Sequence, residues 1–86
     1  MQRFLITYDL HGGTEEEYED LIKALKRRGA VRVQKSVWFL KDADGKENCE
    51  GLRDFFWGYM KEGDRLLVVR FDDWSGRNSI TKISKS

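Results

Sequence analysis

The sequence has a single cysteine, Cys49, among its 86 residues. That excludes an intrachain disulfide and a cysteine-built zinc cluster, and it fits an ordinary reducing cytosol. Histidine is equally scarce: His11 stands alone, with no second group of acids or histidines at metal-ligand spacing. No apolar run approaches the roughly 20 residues that span a bilayer, so no membrane segment is expected. The first residues enter a strand pattern directly, which leaves no room for a signal peptide and makes the cytoplasm the expected compartment. Base-reading motifs are missing too, so any nucleic-acid contact should be independent of sequence. Excess charge is lacking as well. A net charge of +1 argues against a protein that coats nucleic acid.

What is present is small and segregated. A chain of 86 residues makes one domain, and such a domain buries only about 60–65% of its unfolded surface. We read a single domain over 1–76 and a basic tail over 77–86. The marginal core and the edges of a small sheet make a homodimer the expected state. Charge is sorted along the chain. Glu15, Glu16, Glu17, Glu19 and Asp20 form an acidic block, whereas Lys23, Lys26, Arg27, Arg28, Arg32 and Lys35 follow with no acid among them. Either these bases hold phosphates or they are a solvated helix end.

The rest of the chain is organised around Arg3–Leu10, RFLITYDL, where aromatic and β-branched residues alternate as in a buried strand. Asp9 stands where that strand runs out, before His11-Gly12-Gly13, a turn signal. A carboxylate there has rigid support and still reaches the surface. It is either a metal ligand or catalytic acid, or simply the residue that ends the strand and caps the turn.

Downstream, Thr14 and Glu17 have capping-box spacing, and Tyr18, Leu21, Ile22 and Leu25 form one apolar stripe. The spacing predicts a helix over 14–28 that ends at Gly29. Ala30–Lys41 is β-rich and reads most economically as strands over 31–34 and 36–41, with one long bent strand as the alternative. Asp42–Lys46 is a turn carrying an Asp-Gly signal. Cys49, Leu52, Phe55, Phe56, Tyr59 and Met60 follow helical spacing from a start near Glu47 or Asn48, with Gly63 just past the end. Leu66–Phe71 is a strand apolar enough to be central. The tail is either frayed or an extra C-terminal edge strand. The order strand, helix, strand, strand, helix, strand is that of an α+β ferredoxin-like βαββαβ sandwich: an antiparallel four-stranded sheet with two helices on one face. Many functions share it.

LITYDL, RVQKSVWFL and GDRLLVVRF, in this order and spacing, resemble the small CRISPR-associated Cas-two proteins, and most closely their standalone SinR-like relatives. The likeness runs over residues 3–72. It implies a homodimer in which Tyr8 and Asp9 match the catalytic strand-end motif, with Asp9 as the metal ligand. Proteins of this family include metal-dependent nucleases and non-catalytic DNA-bridging dimers, so the resemblance leaves both activities open.

The chemistry of the residues leads to a similar place. One carboxylate is too poor a site for a divalent ion, which takes about six oxygens. A two-fold dimer that pairs Asp9 with its mate would hold Mg²⁺ or Mn²⁺ and activate water against a phosphodiester. His11 could assist as base, although a turn histidine facing solvent is the plainer reading. Lys26, Arg27, Arg28, Arg32 and Lys35 are the expected contacts to an RNA or DNA backbone. The expected function is a metal-dependent endonuclease. The alternatives are a non-catalytic DNA-binding clamp and a toxin or regulator of the standalone type.

Overall fold

Alternation along the first strand sets the architecture. The computed structural model describes residues 2–11, 15–75 and 77. In β1 (Gln2–Asp9) Phe4, Ile6 and Tyr8 are buried on one side, while Arg3, Leu5 and Thr7 are half-covered on the other. Two of the remaining strands flank β1, β3 (Val37–Asp42) on one side and β4 (Arg65–Arg70) on the other, both antiparallel to it. β2 (Val31–Gln34) lies outside β3, giving the order β2-β3-β1-β4. Each helical connection therefore skips one strand. This is the expected ferredoxin-like α+β sheet. The two-strand reading of Ala30–Lys41 is borne out, with a turn at Lys35-Ser36 and an irregularity in the ladder between Arg32 and Gln34.

The helices differ from expectation at their ends. A 3-10 turn (Glu15–Tyr18) precedes α1 (Glu19–Arg27), so α-helical geometry starts five residues after Thr14. Thr14 lies outside the described residues, and Tyr18 at the N-cap makes no side-chain capping bond. What fixes this end is tertiary: the Tyr18 ring is buried and its hydroxyl donates to Asp64 at 2.9 Å. The far end is as expected. Gly29, at φ +85°, lets its N–H reach the Lys26 carbonyl while the Ala30 N–H reaches that of Leu25. That is the Schellman pattern, which stops the helix. α2 (Cys49–Trp57) starts on Asn48, whose Oδ1 accepts the Gly51 N–H at 2.7 Å. It stops earlier than its apolar stripe suggests. Tyr59 and Met60 donate to carbonyls three residues back, tightening the last turn so that Gly63 falls in the following loop.

Leu21, Leu25, Leu52 and Phe56 are fully buried against Phe4, Ile6 and Trp38, each contributing about 1.5–3 kcal/mol of apolar transfer. Among the described residues the other sheet face has no helix over it. Leu67 and Val69 of β4, neighbours of Thr7 and Leu5, stay 58% and 38% exposed there. At the Gln2 end of this face, Phe71 packs edge-on to Phe39 and to Trp74, and Arg3 lies 5.4 Å from the Trp74 ring centre. The expected tail from 77 onward lies outside the described residues except for Arg77.

Candidate functional site

Asp9 is the last residue of the strand at the middle of the sheet, exposed, opposite Arg65 of β4. Among the described residues its carboxylate makes no hydrogen bond or ion pair. The other strand-borne acid, Asp42, is committed to its own turn and accepts the N–H groups of Asp44 and Glu47. Asp9 is thus the free carboxylate carried on the rigid sheet.

Its neighbours behave differently. Successive residues of a strand point to opposite faces, so Tyr8 projects away from Asp9 into the helix-side core. It is 5% exposed, and its hydroxyl accepts from Trp38 Nε1 at 3.0 Å. His11 is exposed, with its ring against Gly63: a Cβ added there would stand 3.2 Å from His11 Cδ2. The His11 backbone N–H donates to Asp64 Oδ1 at 2.8 Å.

The five basic residues do not form one patch. The Lys35-Ser36 turn lies beside the end of β1, where the Tyr8 N–H donates to the Ser36 carbonyl, so Lys35 shares the Asp9 end of the sheet. Arg27 and Arg28 close α1 at the opposite end. There Arg28 pairs with Glu47 at 3.1 Å and lies 4.2 Å from the Phe55 ring centre, while Gln2 donates to the Glu47 carbonyl. Lys26 and Arg32 line an open groove of about 890 Å³ between α1 and β2, together with Ile22, Val31, Trp38 and the acids Glu16 and Glu19. Arg32 stacks 4.7 Å from the Trp38 ring centre. Sequence reading missed Arg65, which stands across from Asp9, and Asp64 just before it. The signal was the Gly-Asp-Arg opening of β4.

Among the described residues no three side chains of the types His, Cys, Asp or Glu gather as a metal site. One chain brings Asp9 alone, with a guanidinium rather than a second carboxylate opposite. Among the described residues one protomer therefore offers a divalent ion a single free carboxylate there.

The model of the family described as CRISPR associated protein Cas2 matches residues 1–79. No curated protein matches the chain. Among the described residues no helix is long and apolar enough to cross a membrane.

Proposed function

The chain belongs to the CRISPR associated protein Cas2 family, and from that premise we propose a cytoplasmic homodimer that cuts RNA or DNA backbones with a divalent ion, Mg²⁺ or Mn²⁺, held between Asp9 and its mate. One observation carries this reading: a carboxylate exposed at the end of the central strand, with no partner among the described residues. Two such carboxylates meeting across a two-fold axis repel unless a cation lies between them. When bound, the ion would acidify a water and neutralise developing charge on the phosphate. Lys35 and Arg65 flank Asp9 and suit the phosphate oxygens on either side of the scissile bond. In this reading His11, two residues on, would take the proton of the attacking water.

Tyr8 has no place in that chemistry from within one chain, because its hydroxyl faces the core and accepts from Trp38. This observation, with the lack of further metal-ligating side chains around Asp9 among the described residues, favours a second reading. In it the same dimer bridges duplex DNA without cutting. An assay of wild type and Asp9→Asn on labelled RNA and duplex DNA, with and without Mg²⁺ or Mn²⁺, separates them. The nuclease reading expects metal-dependent cleavage that Asp9→Asn abolishes. Full activity in Asp9→Asn, or equal cutting in excess chelator, defeats it. Salt-dependent binding with no cleavage leaves the bridge.

A further inference from the structure

Among the described residues Asp64 is the one buried charged side chain, 5% exposed. Taking a carboxylate out of water costs several kcal/mol unless strong hydrogen bonds replace the lost hydration. Asp64 has them from three separate segments. Oδ1 accepts the His11 backbone N–H at 2.8 Å and the Tyr18 hydroxyl at 2.9 Å, and Oδ2 accepts the Lys61 N–H at 2.7 Å. Bonds to an ionised acceptor are about twice as strong as neutral ones. An apolar group of the same shape would leave two backbone N–H groups and a hydroxyl without an acceptor, so the arrangement contributes to folding stability as well. The bond to His11 lands on the chain just where β1 has ended and the ladder no longer holds it.

The Asp9–Arg65 pair is the last rung between β1 and β4, and Asp64 precedes that rung. Leu10 and His11 then leave the sheet with the Asp64 carboxylate as their anchor, 53 residues away along the chain. The same loop receives the His11 ring, because Gly63 offers no Cβ to stand in its way. One buried group thus holds the backbone on the far side of Asp9 and, through Tyr18, the start of the α1 region, while the His11 ring rests on Gly63.

We propose that Asp64 is a positioning residue, which holds residues 9–11 so that Asp9 and His11 project together onto the open end of the sheet. The proposal rests on the nuclease reading for its catalytic consequence, and on the hydrogen bond to His11 for its structural one. The two are tested apart.

The structural test is amide hydrogen exchange on the full chain. Wild-type His11 should exchange slowly for a residue beyond a strand end. Asp64→Asn keeps the shape but turns Oδ2, which faces the Lys61 N–H, into a donor and takes the charge off the Oδ1 bonds to His11 and Tyr18. It should speed His11 exchange by about tenfold or more, the loss of one charge-assisted bond, while Phe4 and Ile6 keep their protection. Tyr18→Phe removes one donor and leaves both backbone bonds in place, so it serves if Asp64→Asn unfolds. It should speed His11 exchange severalfold. Wild-type exchange rates at His11 in either folded variant would overturn the proposal.

The catalytic test is the Mg²⁺ dependence of cleavage of labelled RNA and duplex DNA. A misplacement of the order of an ångström costs up to about a hundredfold in rate. Asp64→Asn should therefore lose at least tenfold in cleavage and need more Mg²⁺ for half-maximal rate, with duplex binding unchanged, a split that a general loss of fold does not give. Cleavage at the wild-type rate and Mg²⁺ requirement overturns the positioning role. If wild type itself does not cut, the nuclease reading fails, and the exchange result alone decides what Asp64 does.

Discussion

Parity along one strand decides which residue of Tyr8-Asp9 is open to solvent. Tyr8 falls with Phe4 and Ile6, so its hydroxyl ends up on Trp38, and Asp9 falls on the open face. The reach of Asp9 to the surface was legible in RFLITYDL, whereas the inward turn of Tyr8 was not drawn from it. Asp64 was not legible, since it reads like any turn acid: its partners His11 and Tyr18 are 53 and 46 residues away. A glycine pair tests how firmly the neighbouring loop holds His11. Gly63 and Gly29 have φ of +89° and +85°, so alanine at either forces a side chain into left-handed backbone, at about 1–2 kcal/mol each. Around Gly29 a Cβ meets nothing within 4 Å, whereas at Gly63 it meets His11 at 3.2 Å. Denaturant unfolding should show similar losses for Gly29→Ala and Gly63→Ala, and only Gly63→Ala should shift the His11 imidazole resonances. Unshifted resonances would mean that the ring does not lie on Gly63 in solution.

The elements redistribute what the chain keeps together. Bases from Lys23 to Lys35 are contiguous in sequence, but α1 runs away from the Asp9 end and β2 returns to it, so Arg27 and Lys35 finish at opposite ends of the sheet. No local pattern carries that information. It comes from the antiparallel return of β2, and only the βαββαβ order, itself legible from the 3.6 and 2.0 periodicities, foreshadows it. Element ends were least legible at the start of α1, where a 3-10 turn over Glu15–Tyr18 delays the α-helix to Glu19. If nucleic acid binds at the Asp9 end, then Lys35→Gln with Arg65→Gln should flatten the dependence of log affinity on log salt by up to about two on duplex DNA. Arg28→Gln should leave that slope near wild type. Its pair with Glu47, about a third exposed on both sides, is worth at most about 1 kcal/mol and shows up in stability. A slope that falls with Arg28→Gln and not with the double variant would place the phosphates on the far end of α1.

At the scale of the whole molecule, the bare sheet face asks for a partner. Leu67 and Val69 are exposed there, Leu5 and Val37 half-covered, and Val31 is 40% exposed on the same side at the other edge. Four strands about 4.8 Å apart and some six residues long make a face of about 20 by 20 Å. A standard interface takes about 800 Å² from each partner, so a second copy would need the whole face and the free edge of β4 beside it. Such a dimer is the premise of the paired-Asp9 site, because Asp9 points to this same face. Leu67→Glu is then the informative change. In a monomer the side chain is more than half in water and the substitution costs little. In a face-to-face dimer it buries an unpaired charge, a cost of several kcal/mol. Sedimentation at micromolar concentration should find wild type dimeric and Leu67→Glu monomeric, with far-UV spectra alike. Trp57→Glu is the control, since Trp57 is 49% exposed on α2, on the helix side of the sheet. It should leave the dimer intact; loss of the dimer in Trp57→Glu alone would put the interface on the helices and leave the two Asp9 residues apart. Cleavage should vanish in Leu67→Glu although Asp9, His11 and Asp64 are untouched. Metal-dependent cleavage by a proven monomer would mean that one Asp9 suffices, and the two-fold site would have to be given up.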